Sequence, residues 1–176
     1  MTTTAAAVER RLTSLVSHIA TLLRGGGMIS HGDAAALRRM DPRHPAAGFF
    51  KIEGHVLDDQ LPGDATLLAD LETRWAAIVV GLACLGSLHQ PGRRLGHTLV
   101  DAQYSELRFT RLLRADADHL ADELPALARF LAAKGTPVDW TTAAHLILSV
   151  GRSDEEPIRR HIARDYYGSL SRQEGH

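Results

Sequence analysis

Cysteine is nearly missing from this chain: its 176 residues hold one, Cys84. No disulfide can form within the chain, and neither a Cys-x-x-Cys redox motif nor a cysteine-built zinc site exists. Cys84 lies in an apolar helical run and reads as a small buried hydrophobe, in a chain suited to a reducing cytosol. Aromatic residues amount to 5%, which leaves no ladder of exposed rings for stacking nucleic-acid bases. Net charge is also scarce, at −1. Nothing chain-wide attracts nucleic acid, so such a partner must be held by a local patch. The longest apolar run, Ala76 to Leu85, is too short for a bilayer. The start is polar, with apolar residues at helical spacing rather than in a secretory block, so the expectation is a cytoplasmic protein with no membrane partner.

Catalytic signatures are missing too. There is no His-Glu-x-x-His, no glycine-rich phosphate loop after a strand, and no Gly-x-Ser-x-Gly elbow. Gly25-Gly26-Gly27 lacks the lysine and the helix start that a phosphate loop needs. Ten histidines are scattered. The nearest approaches to ligand pairs are His31-Gly32-Asp33 and His161 with Asp165, and Asp33 is better explained as a helix cap. Asp154, Glu155 and Glu156 cluster where a helix N-terminus favours negative charge. The expectation is a protein that is not an enzyme and has no cofactor and no metal.

What the chain does have is a 3.6-residue apolar period from end to end, with 44% apolar and 23% charged residues. A first helix is expected over Ala5–Leu23, with Leu12, Leu15, Val16, Ile19, Leu22 and Leu23 inward, ending at the glycine run. Asp33 is expected to cap a helix over Ala34–Met40, closed by Asp41-Pro42. Another spans Ala46–Val56 with Phe49, Phe50 and Ile52 as core candidates. From Asp64 runs the most apolar helix, carrying Leu67, Leu68, Leu71, Trp75, Ile78, Val79, Leu82 and Leu85. Two short helices follow across Arg93–Ala115, the second capped by Ser105. A helix over Asp118–Ala133 should be kinked or divided by Pro125. Asp139 caps Trp140–Val150, and Ser153 with Glu156 forms a capping box before a last helix holding Ile158, Ile162, Tyr166 and Tyr167. The pattern predicts an all-α fold, a compact multi-helix bundle of about eight or nine helices joined by short turns. Residues 1–167 form a single domain, or two helical lobes over about 1–90 and 91–167, and 168–176 form a polar, frayed tail.

Eighteen of the twenty basic residues are arginine, the side chain that contacts phosphate bidentately. They are unevenly spread. Residues 91–115 carry five arginines against Asp101 and Glu106, while residues 116–176 carry seven basic against ten acidic residues. In Ser105–Ala115, Phe109, Leu112 and Leu113 share one helical face and Arg108, Arg111 and Arg114 lie on the other. That outer face is either an ordinary solvated exterior or a surface for anions. Arg38 and Arg39 end a predicted helix, a place the helix dipole alone favours for cations.

Three strings, in order, resemble the small subunit (CasB) family of type I-E Cascade, the RNA-guided DNA-surveillance complex of bacterial CRISPR immunity. They are Gly32-Asp33-Ala34-Ala35-Ala36-Leu37-Arg38-Arg39, then Leu95-Gly96-His97-Thr98-Leu99 followed by Ser105 to Ala115, then Asp139-Trp140 before a Leu/Ile-rich helix. The resemblance implies an all-α, non-catalytic subunit whose partners are the backbone and large Cascade subunits, a second copy of itself, the crRNA-bound complex and the target DNA. It implies that a basic face binds DNA phosphates around the R-loop, chiefly on the displaced non-target strand. By position, the family's DNA-facing sites fall on Arg38 or Arg39, on Arg108 and Arg114, on Arg129 and on Arg152; the helical wheel adds Arg111. Many relatives carry a basic residue where this chain has Ala35. Two other readings fit the same residues: a helical spacer whose arginines meet acidic neighbouring subunits, and a metal-dependent helical hydrolase built on the histidines.

Overall fold

The computed structural model describes residues 2–25 and 27–174. Among these residues nine α-helices follow one another: α1 (Thr2–Leu23), α2 (His31–Leu37), α3 (Ala47–Ile52), α4 (Ala65–Leu85), α5 (Leu95–Asp101), α6 (Glu106–Arg114), α7 (Ala117–Lys134), α8 (Thr141–Ser149) and α9 (Glu155–Glu174). The fold is all-α, and its sole β-type pairing among the described residues is an isolated parallel bridge between His89 and Val138.

α4 is the central element because its second half, from Trp75 on, is apolar all the way round. Trp75 to Ala83 is buried without a break, so α4 has no solvent face over this stretch. α7 lies along it, and α1, α2 and α8 close other sides. Asp64, where the helix was expected to start, is its N-cap, accepting from the N–H groups of Thr66 and Leu67 at 3.0 Å each. Together with the turn after it, α4 is long and apolar enough to cross a membrane by length and composition, yet 56% of that window is buried inside the protein. Its first turns are the more exposed part: Leu67, expected in the core, is 58% exposed.

Trp140 fixes α8 against α4. Its ring is wholly buried, its Nε1 donates to the Ile78 carbonyl at 3.2 Å, and a Cβ on Gly81 would fall 2.3 Å from the ring. Gly96 does the same for α5 and α9: a Cβ there would lie 2.6 Å from the Tyr166 amide nitrogen. The two helices therefore meet backbone to backbone. The carboxylate of Asp165, nearly buried in this seam, receives Arg94 at 3.2 Å, with His161 at 3.5 Å and His97 at 3.8 Å.

Several local expectations are corrected. The cap of α2 is Ser30, with Asp33 as the third helical residue closing a reciprocal capping box, so α2 starts at His31 rather than Ala34. It ends at Leu37, and Arg38 and Arg39 lie in the turn beyond it. The helix expected over Ala46–Val56 is α for six residues, then a π-helical turn (Glu53–Leu57). Phe50 is half-exposed while Phe49 is buried. Pro125 withholds an N–H from the Ala121 carbonyl, but α7 runs through it undivided, with the proline ring buried. Ser105 stands at the N-cap of α6 without a side-chain cap bond. Glu155, rather than Glu156, closes the turn before α9, accepting from the Gly151 N–H at 2.8 Å. α9 continues to Glu174, so residues 168–174 of the expected polar tail are helical. Gly26 of the glycine run and residues 175–176 lie outside the described residues.

Candidate nucleic-acid interface

The candidate interface starts from α6, which is held from behind by α9. Phe109 stacks on Tyr166 with centroids 3.8 Å apart and planes 10° off parallel, and meets Tyr167 edge-on at 5.9 Å. The Tyr166 hydroxyl donates to the Tyr104 carbonyl at 2.7 Å, and the Tyr167 hydroxyl to Glu106 at 3.0 Å. At the other end, the largely buried Arg159 guanidinium donates to the carbonyls of Leu113 and Ala115 and pairs with Glu155 at 2.9 Å. Arg159 thus satisfies acceptors that a helix C-terminus leaves open. Phe109 and Leu112 are buried and Leu113 is half-buried, so the apolar stripe is where its spacing put it.

The outer face carries Arg108, Arg111 and Arg114, all exposed. Arg108 makes no ion pair among the described residues; its guanidinium lies 5.6 Å from the Tyr104 ring centre and 5.8 Å from that of Phe130 on α7. Lys134 sits 5.9 Å from the centre of the same Phe130 ring. Aromatic faces attract these cations without neutralising them, so the charge stays available to an anion. Arg111 differs: it pairs with Glu123 at 2.8 Å. Arg114 has no carboxylate partner among the described residues and borders a shallow hollow with Leu107, which is 83% exposed.

Arg38 and Arg129 come together although 91 residues separate them. The Arg129 guanidinium donates to the Arg38 carbonyl at 3.2 Å, and Arg38 Nε donates to the Ala83 carbonyl at 3.0 Å. Cys84 lies beside them, its thiol pushed up by burial, with the two guanidiniums opposing that shift. It is held as a thiol rather than a reactive thiolate. Arg39, next to Arg38, has an exposed side chain with no ion pair among the described residues. α7 therefore links the two groups, with Arg129 reaching the turn after α2 and the adjacent Phe130 reaching Arg108. Arg152 stands elsewhere, 3.6 Å from Asp154 in a cleft shared with Arg11 and His145, and no described contact joins it to the other six arginines.

Phe130, Lys134 and Arg159 were not singled out from sequence. The spacing of Phe130 and Lys134 by one turn of helix was visible, but nothing local pairs Phe130 with Arg108. The acidic excess after residue 116 is largely used in pairs. Asp122 takes Arg43 at 2.7 Å, Glu123 takes Arg111, Glu155 takes Arg159, and Glu156 takes Arg160 at 2.7 Å. Among the described residues no three His, Cys, Asp or Glu side chains are grouped to hold a metal ion. No curated protein and no solved structure matches the chain. The family model of CRISPR-associated protein Cse2 matches residues 33–167, which include most of α2, all of α3–α8 and most of α9. The chain belongs to the Cse2 (CasB) family, the small subunit of the type I-E CRISPR Cascade complex.

Proposed function

We propose that this chain is a non-catalytic subunit that holds the DNA phosphate backbone, chiefly the displaced non-target strand, within a cytoplasmic Cascade complex, and thereby stabilises the R-loop. Its partners are the backbone and large subunits, a second copy of itself, the crRNA-bound complex and target DNA. The observation that carries this reading is the junction on α7. Arg129 there meets Arg38, and Phe130 meets Arg108 and Lys134, so cations from three separate segments gather along one helix. Arg39 and Arg114 extend the set, Arg111 contributes less because Glu123 compensates it, and Arg152 is an outlying contact. R-loop formation is a near-balanced exchange of duplexes, so a few phosphate contacts to the freed strand tip it. Binding of this kind ignores sequence, as changing targets require.

A second reading rests on Leu107, whose 83% exposure beside Arg114 offers an apolar contact to a neighbouring subunit. In that case the α6 arginines meet protein rather than DNA. Arg108→Glu with Arg114→Glu separates the two. The DNA reading expects a complex that assembles at wild-type stoichiometry but holds its R-loop for a time shortened about tenfold or more, since charged contacts of this type are worth about 1.5–3 kcal/mol each. Failure to assemble, with normal R-loops in whatever complex forms, supports the protein-contact reading.

A further inference from the structure

The geometry points to a phosphate-binding pocket at the junction of α1, α2 and the end of α4, built by Arg24, His31 and Arg38, of which Arg24 and His31 belong to no site described above. The cleft has a volume of about 500 Å3, within the range of small-ligand clefts. Its charge composition sets it apart. Three other clefts line their walls with carboxylates: Asp154 beside Arg11 and Arg152, Glu9 and Asp139 beside His145 and His161, and Asp116 and Glu123 beside Arg111 and Arg114. This one has two arginines and a histidine and no carboxylate in its wall.

The remaining wall is backbone and a hydroxyl. Gly25 has φ +106° and Gly86 has φ +58°, conformations that bring bare backbone to the cleft, and Ser87 stands next to Gly86. A Cβ on Gly25 would lie 3.2 Å from His31 Nε2, so glycine lets the backbone after α1 pass beside the histidine ring. Neither arginine is used up by the fold. Arg24 makes one long hydrogen bond, Nη2 to the His89 carbonyl at 3.4 Å, and Arg38 spends only its Nε on the Ala83 carbonyl. Both guanidiniums retain donors, and two arginines lining one cleft with no carboxylate in its wall suit an oxyanion such as phosphate. Asp33, the nearest acid in sequence, is already committed to Lys51 at 2.8 Å and to Ser30.

A phosphodiester of the DNA backbone is the source this inference assigns, because Arg38 joins the pocket to Arg129 through its own carbonyl. In that respect it rests on the DNA reading above; the pocket's chemistry does not. The test is amide NMR of the purified full chain at constant ionic strength in chloride, titrated in one arm with inorganic phosphate and in another with a thymidine 12-mer. Shifts at Gly25, His31 and Ser87 are expected in both arms, at much lower concentration for the oligonucleotide. Arg24→Ala is expected to weaken both about tenfold, and Arg24→Lys to restore part of the loss. Shifts at these residues with phosphate but none anywhere with the oligonucleotide would uphold the pocket for a free phosphate ligand and count against the DNA reading. Oligonucleotide shifts around Arg108 with none at Gly25, His31 or Ser87 would overturn the pocket and leave the DNA reading standing. Silence at these three residues in both arms overturns the pocket outright.

Discussion

His89 and Gly96 show how single residues set conditions for the whole fold. His89 is buried, and its Nδ1 accepts the Trp140 amide N–H at 3.1 Å, a bond that requires a neutral ring. Burial holds its pKa below the ordinary 6.5, with Asp139 opposing that shift and Arg24 adding to it. The unfolded chain therefore binds this proton more readily than the folded one. The contribution of His89 to stability is complete above about pH 6.5 and is lost as pH falls through 6.5 toward the folded value. His119 has the opposite sign: Asp116 raises it, so its small exposed contribution fades as pH rises. Urea unfolding at pH 7.5 and 5.5 is expected to show a lower midpoint at pH 5.5, with the loss reduced in His89→Gln. Gly96 is tested by size. Gly96→Ala pushes a Cβ against the α9 backbone and is expected to destabilise by about 1–3 kcal/mol. Gly54→Ala, where nothing lies within 4 Å, should change stability by less than about 1 kcal/mol in the stabilising direction.

Among the helices, α6 depends most on partners distant in sequence. Its arginine face and apolar stripe were legible in the sequence because both repeat within eleven residues. α4 was legible for a similar reason, since an unbroken apolar run admits few places but the centre. What holds α6 in position was not legible: Tyr166, Tyr167 and Arg159 lie more than forty residues downstream and reach it only through the fold. The caps show a finer limit. Ser30 and Asp33 are both good capping residues, and only the backbone geometry makes Ser30 the cap and Asp33 its reciprocal partner, with Lys51 and Ser30 holding the Asp33 carboxyl at about 2. Phe49 and Phe50 are likewise equal in composition, and the direction of a six-residue helix buries one and exposes the other. Arg159→Met is expected to leave the helix content nearly unchanged, to cost about 1.5–3 kcal/mol, and to speed hydrogen exchange in the last turn of α6 more than in α4. Equal protection in α6 of the variant and the parent chain would contradict the anchoring role of Arg159.

For the molecule as a whole, a net charge of −1 hides an uneven arrangement. Acids of the C-terminal third are mostly paired, whereas Arg39, Arg108 and Arg114 face outward with no ion pair among the described residues, and Arg38 and Arg129 use only part of their donors. The sequence strings that resemble the family put Arg38, Arg39, Arg108 and Arg114 in order along the chain; the meeting of Arg38 with Arg129 and of Arg108 with Phe130 on α7 depends on long-range packing that no local pattern encodes. About four to six phosphate contacts to a single strand correspond to a salt slope of about −3 to −4. The most direct measurement is R-loop lifetime of the assembled complex against salt concentration, with the parent chain and with Arg108→Ala plus Arg114→Ala. The logarithmic slope is expected to shrink by about 1.4 in the variant, about 0.7 for each phosphate contact removed. Parallel salt dependences, with both complexes fully assembled, would contradict it.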